Sequence, residues 1–286
     1  MRINEKALNF MTSVPQIFDR KKLALRRARA AENFSRHDFL IDLTAERLVD
    51  RMLDFSHHFS SVLIIGGQNG LIKKHLKNLK KAPEFIVEMD LHSSGADILA
   101  DEEMLPIRPQ SFDCIIAHFA LPFVNDVPGV LMQLRLSLKP DGILLASTLG
   151  TQTLENLRDI LMTAELETYG GVSHRVGPFV DMQDMAAVMQ RSGFALPVID
   201  QDIITVEYSA RRKLLDDLRG MGWSSCLTQQ GRAFNRALLE KIELDQPIEA
   251  RFETLYLTAR APSEAQQKPL PRGSGQTSLA DHLTES

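Results

Sequence analysis

Five apolar runs constrain this chain more than any other feature. They are "SVLIIG" (61–66), "FIVEMD" (85–90), "ADILA" (96–100), "FDCIIAHF" (112–119) and "GILLAS" (142–147). Most are continuous rather than alternating, as in strands covered on both faces in a parallel sheet. Helix-like stretches separate them, "LIKKHLKNLKK" (71–81) and "VPGVLMQLRLSLK" (127–139). Ahead of them, residues 36–58 repeat Leu40, Leu43, Leu48, Met52 and Phe55 at helical spacing. Strand alternating with helix predicts a doubly wound α/β fold.

"KPDG" (139–142) predicts a turn before the fifth strand. Helices are predicted over 151–171, stopped by Gly170 and Gly171, and over 181–194, with Asp181 as N-cap and Gly193 as stop. Two late strands, 197–208 and 251–260, bracket a helical region, 209–245. That order predicts a final antiparallel pair with an inserted helical cap. The expected layout is a basic helical segment (1–35), a main domain (36–260) containing the cap, and a disordered tail (261–286) rich in Pro, Gly, Ser and Gln.

Charge is uneven. Residues 1–36 carry nine Lys/Arg against three acids, although the whole chain is −4. The basic run "RKKLALRRARA" reads first as a solvated helical face and second as a surface for an acidic partner or RNA. The acidic remainder and 6% aromatic content argue against nucleic acid as a partner. Two cysteines, Cys114 and Cys226, stand far apart, so no CxxC metal or redox site is expected. No apolar run approaches the roughly 20 residues a membrane span needs.

The candidate site begins where the first strand meets "GGQNG" (66–70). Gly66 and Gly67 can take positive φ and let a ligand approach the backbone, and Gly70 opens the next helix. Asp90 ends the second strand twenty residues after Gly70, the interval at which nucleotide folds place a ribose-binding acid. Asp101, in "LADEEMLPI" (99–107), is expected at the same sheet edge, where it can accept from an adenine amino group or cap the turn holding Glu102 and Glu103. His118, at the end of the fourth strand, is expected near the crevice, although a lone histidine is more often structural.

Taken together, these pieces resemble the class I S-adenosylmethionine-dependent methyltransferases of the type 11 kind. The residues that carry the likeness are "VLIIGGQNG", "VEMD", "ADEEMLP", "SFDCIIAHFALPFVND" and "LKPDGILLAS". Within that family the chain is most similar to the complex I assembly-factor branch. That likeness extends through "IFDR" (17–20), "VND" (124–126), "GTQTLENLR" (150–158) and "DLRGMG" (217–222).

The resemblance implies a seven-stranded Rossmann-like sheet, S-adenosyl-L-methionine as cofactor, and a protein substrate, a quinone-module subunit of NADH dehydrogenase. It implies arginine hydroxylation as the branch's chemistry, in a bacterial cytoplasm or, in a eukaryote, the mitochondrial matrix. The implied cofactor set is Gly66, Gly67, Gly70, Asp90 with Leu91, Asp101 with Glu102, and His118. No catalytic residue is assigned. Departures lie at the methionine end: the family's usual acid before the first glycine is Ile64 here, and its middle glycine is Gln68. The alternatives are a non-catalytic assembly scaffold on the same fold and a carrier-protein O-methyltransferase of the biotin-pathway type.

Overall fold

The computed structural model describes residues 14–266 apart from 57, 93, 94 and 230. Most of the expected disordered tail, and the first thirteen residues of the basic segment, therefore lie outside the described residues.

Seven strands form one sheet in the order β3-β2-β1-β4-β5-β7-β6. β1 (Ser61–Ile65), β2 (Phe85–Asp90), β3 (Ile98–Leu99), β4 (Phe112–His118) and β5 (Leu138–Leu149) run parallel. β7 (Ile248–Arg260) runs antiparallel to both β5 and β6 (Ala195–Tyr208). The strands with continuous apolar sequence are the central ones, and β4 and the body of β5 are buried on both faces. β6 alternates instead. Its outer positions include Asp200 and Glu207, charges that keep an exposed edge from pairing with another chain.

Helices cover both faces, as the continuous runs require. α2 (Phe39–Asp50) and α3 (Leu71–Lys77) bury Ala45, Leu48, Ile72 and Leu76 against Val62, Ile64 and Ile116. α4 (Val127–Ser137) and α6 (Met182–Arg191) bury Leu131, Leu134, Met185 and Met189 on the other side. A third cluster sits over the carboxyl ends of the strands. It joins α1 (Arg20–Ala31) to α5 (Glu155–Tyr169) and to α7 (Arg211–Gly220) and α8 (Arg236–Ile242), the two helices between β6 and β7. Within it Trp223 lies edge-on to Phe119 at 4.9 Å.

Two sequence expectations change. "KPDG" does not precede β5 but lies inside it. Phe112 pairs with Leu138 and Cys114 with Ile143, so the extra residues bulge outward, with Asp141 at φ 64°. The helix expected from residue 151 starts at Glu155, because Leu154 takes φ 57° after a turn. Its stop at Gly170, in the left-handed region at φ 69°, is as expected.

Candidate functional site: a glycine loop and four carboxylates at the sheet's switch point

The chain leaves β1 toward β2 on one side, while β4 pairs with β1 on the other. Their carboxyl ends therefore flank the switch point where open α/β sheets bind ligands. Gly66 follows β1 at φ 70°, and a Cβ there would fall 2.6 Å from the His118 carbonyl oxygen. The loop then takes three left-handed residues in a row, Gln68 (φ 51°), Asn69 (φ 59°) and Gly70 (φ 81°). Gln68 thus adopts the backbone that glycine would take, at a cost of about 1–2 kcal/mol. The loop's shape survives the change of residue.

Because Gly66 faces backbone, the Gly66→Ala variant is expected to lose about 2–4 kcal/mol of stability, from left-handed strain plus displaced packing. A urea midpoint indistinguishable from wild type would refute this.

Asp90 ends β2 and is buried; its Oδ1 accepts the Leu91 N–H at 2.7 Å. Asp101 follows β3 and accepts the Glu103 N–H at 2.9 Å, the turn-capping role open to it from sequence. Glu102 is fully buried. Glu88, two residues before Asp90, is the fourth acid here and is buried too. Asp90, Asp101 and Glu102 are thus brought together at one edge, beside the glycine loop.

α1 neutralises three of them. Arg20 donates from Nη2 to Asp101 Oδ1 at 2.8 Å and is paired with Glu102. Its Nη1 donates to the Phe123 carbonyl at 2.9 Å. Arg27, itself buried, donates to Glu102 Oε1 at 2.8 Å and reaches Asp90 Oδ1 at 3.4 Å. Burial opposes the charge on Arg27, and Glu102 and Asp90 more than restore it, so its pKa is raised. Burial would raise the Asp101 carboxyl, but the Arg20 hydrogen bond and charge outweigh it and hold the pKa below its ordinary value.

The solvated-face reading of the basic run therefore needs correction at two positions. Arg20, Leu23 and Arg27 recur at i, i+3 and i+7, one helix face, and that spacing was readable.

Several family-like motifs find their reason in anchoring α1. Asn125 Oδ1 accepts the N–H groups of Ile17 and Phe18, each at 2.8 Å. The Asp19 N–H donates to the Cys226 carbonyl at 2.8 Å. A Cβ at Gly222 would meet Arg27 Cα at 3.3 Å, and one at Gly220 the His37 ring at 2.2 Å. "IFDR", "VND" and "DLRGMG" are thus parts of one clamp.

His118 lends its backbone, not its ring, to the crevice. The ring is fully buried, with Nδ1 2.8 Å from Ser147 Oγ and Nε2 3.1 Å from the Ile41 carbonyl. Burial pushes its pKa down to about 3. Both cysteines are buried, and no group of three or more metal-ligating side chains occurs among the described residues.

On the other side of α1 lies a cavity of about 430 Å³, walled by Phe18, Phe123, Leu157 and Trp223. Lys22, Arg26, Arg175 and Arg232 also line it, and no Asp or Glu does. Arg175 is held by Glu165 and lies 4.2 Å over Phe234. Arg26 has a buried Nη1 with no partner, and burial lowers its pKa.

The donor set, though three of its acids face α1, has the chemistry an adenosyl ligand with a charged methionine part requires. Gly70 leaves open space at the start of the helix, Glu88 has an unpartnered oxygen, and the acids outnumber the arginines beside it.

Residues 34–197 match the methyltransferase-domain family. The chain is 32% identical to the mitochondrial arginine-hydroxylase NDUFAF5 of Danio rerio, over 86% of this chain and 83% of that protein. The Homo sapiens form is 31% identical over 86% and 77%. A malonyl-[acyl-carrier protein] O-methyltransferase of Gallionella capsiferriformans is 32% identical over 58% of each chain. A methyltransferase-like crystal structure from Bacillus halodurans superposes with a TM-score of 0.50, covering 76% of this chain and 99% of that one at 14% identity, a likeness of fold. The chain belongs to the methyltransferase-domain family, whose cofactor is S-adenosylmethionine.

Proposed function

We propose that the protein binds S-adenosylmethionine at the β1/β4 switch point and modifies a protein substrate, supporting assembly of NADH dehydrogenase. One observation carries this reading. Similarity to the arginine-hydroxylases runs over 86% of the chain, well beyond the 58% shared with the carrier-protein enzyme.

In this reading Gly66, Gly67 and Gly70 face the methionine part. Asp90, followed by Leu91, takes the ribose hydroxyls, and Asp101 beside Glu102 takes the adenine amino group. The bound cofactor supplies an electrophilic methyl group on a sulfonium. What the chain adds is alignment and exclusion of water. Methyl transfer to a well-placed nucleophile needs little more, so the lack of a catalytic triad is no obstacle. α1 and the α7–α8 region close the crevice, and Arg27 shares Asp90 with the ribose.

Two charge-assisted hydrogen bonds are worth about 1.5–3 kcal/mol each. Asp90→Ala should therefore weaken S-adenosylmethionine at least about 100-fold in calorimetry. Wild-type protein that binds neither S-adenosylmethionine nor its demethylated product at millimolar concentration would defeat the reading. Asp90→Ala protein that fully restores complex assembly in cells would favour a scaffold.

The cavity beside α1 favours a second reading. A space lined by arginines and no acid suits a carboxylate better than a guanidinium. Methylation of a carrier-bound malonyl group, and not of an arginine-bearing peptide, would decide for it.

A further inference from the structure

Glu88 does not fit the role of an ordinary buried acid. It is 1% exposed, yet its Oε2 has no hydrogen-bond partner. Buried carboxylate oxygens are normally satisfied, because leaving one bare costs the full desolvation penalty. Nor does a neighbouring cation supply the missing partner. Lys73 places its Nζ 3.0 Å from Asp97 Oδ2. Arg27 is taken by Glu102 and Asp90.

The carboxylate is aimed at the glycine loop. A Cβ on Gly67 would fall 2.2 Å from Glu88 Oε1 and 2.4 Å from Cδ, so only glycine leaves it room. The Gly70 amide lies on the same side and favours the charged carboxylate. Glu88 thus packs directly against the glycine loop at Gly67. Burial raises its pKa, and Asp90 and Asp97 add to that against Lys73 and the Gly70 amide. An incoming cation would relieve this.

Its register supplies the second half of the argument. Glu88 pairs with Ile64 across the parallel β1–β2 ladder. Register partners project on the same face, about 4.8 Å apart. An acid at position 64 and an acid at position 88 therefore reach the same corner from adjacent strands. Here β1 supplies the apolar residue and β2 the acid.

We propose that Glu88 is the anchor for the ammonium group of the cofactor's amino-acid part, a binding role moved from β1 to β2. The inference rests on the donor reading above. It differs from a purely structural role, in which Glu88 only packs against Gly67. A structural role would affect every ligand of the crevice alike. An ammonium anchor affects only ligands that carry the amino-acid part.

The test is calorimetry on the full chain with two probes, S-adenosylmethionine and 5′-methylthioadenosine, which keeps the adenosine and lacks the amino-acid part. Glu88→Gln preserves shape and packing against Gly67, so its melting temperature should match wild type. Its Kd for S-adenosylmethionine should rise roughly tenfold or more, while that for 5′-methylthioadenosine stays within about twofold. Equal weakening of both ligands, or no weakening of either, overturns the inference and leaves the donor reading standing. Wild-type protein that binds neither ligand overturns both.

Discussion

Glu102→Ala should cost about 3–5 kcal/mol of stability, the penalty for leaving a buried charge without its partner. The reason is local. Glu102 is fully buried and pairs with both Arg20 and Arg27. Arg20 retains Asp101 after the change, but Arg27 is left with Asp90 at 3.4 Å, and its Nη2 already lacks a partner. A guanidinium that is itself 5% exposed cannot turn to water for relief. The melting temperature should fall on the order of 10 °C. Asp101→Ala is the control. Its carboxylate is 32% exposed and shares Arg20, so its loss should cost about 1 kcal/mol or less. If the two variants melt together, the three acids and two arginines do not form the buried network described here.

Acid should unfold the protein steeply through His118. The folded imidazole stays neutral down to about pH 3, since burial excludes its charged form. In the unfolded chain it protonates near pH 6.5. Between those values the unfolded state binds the extra proton, so stability is full above about pH 6.5 and is lost as pH falls toward 3. The loss is about 1.4 kcal/mol per pH unit, on the order of 5 kcal/mol in all. Carboxylates add their own losses, so the measurement is a comparison. His118→Gln should be less stable than wild type at neutral pH, with a shallower fall in urea midpoint between pH 6 and pH 4. Parallel profiles would show that His118 does not titrate on unfolding. His75 is the titratable group that acts on it most directly, and it too disfavours the charged ring.

These two residues mark where reading the sequence stops. Asp90 and Asp101 were legible because chain order alone places them. An acid at the end of β2 and another after β3 must emerge at one edge of a parallel sheet. The glycine loop was legible for the same reason, since a strand entering a helix needs a left-handed turn. Gln68 reads as damage in one dimension, yet it takes φ 51° and preserves the turn. His118 could be placed at the sheet edge but not oriented. Whether its ring meets ligand or core depends on Ser147 and Ile41, 29 and 77 residues away. "KPDG" carries a turn's chemistry, but pairing on both flanks absorbed it into β5 as a bulge.

The order of apolar runs and turns was enough to set the layered α/β architecture and to bring the loop and the acids to the switch point. Continuous apolar runs must be covered on both faces, and right-handed crossovers leave few ways to do it. Tertiary structure alone decided what faces the acids. Arg20 and Arg27 reach across about 80 residues to Asp101 and Glu102, because Asn125, Cys226 and Gly222 pin α1 over the crevice. It also decided that Glu88 lies beside Ile64, a neighbour only through strand pairing. Charge interactions depend on distance in space and on exclusion of water, and neither is written along the chain.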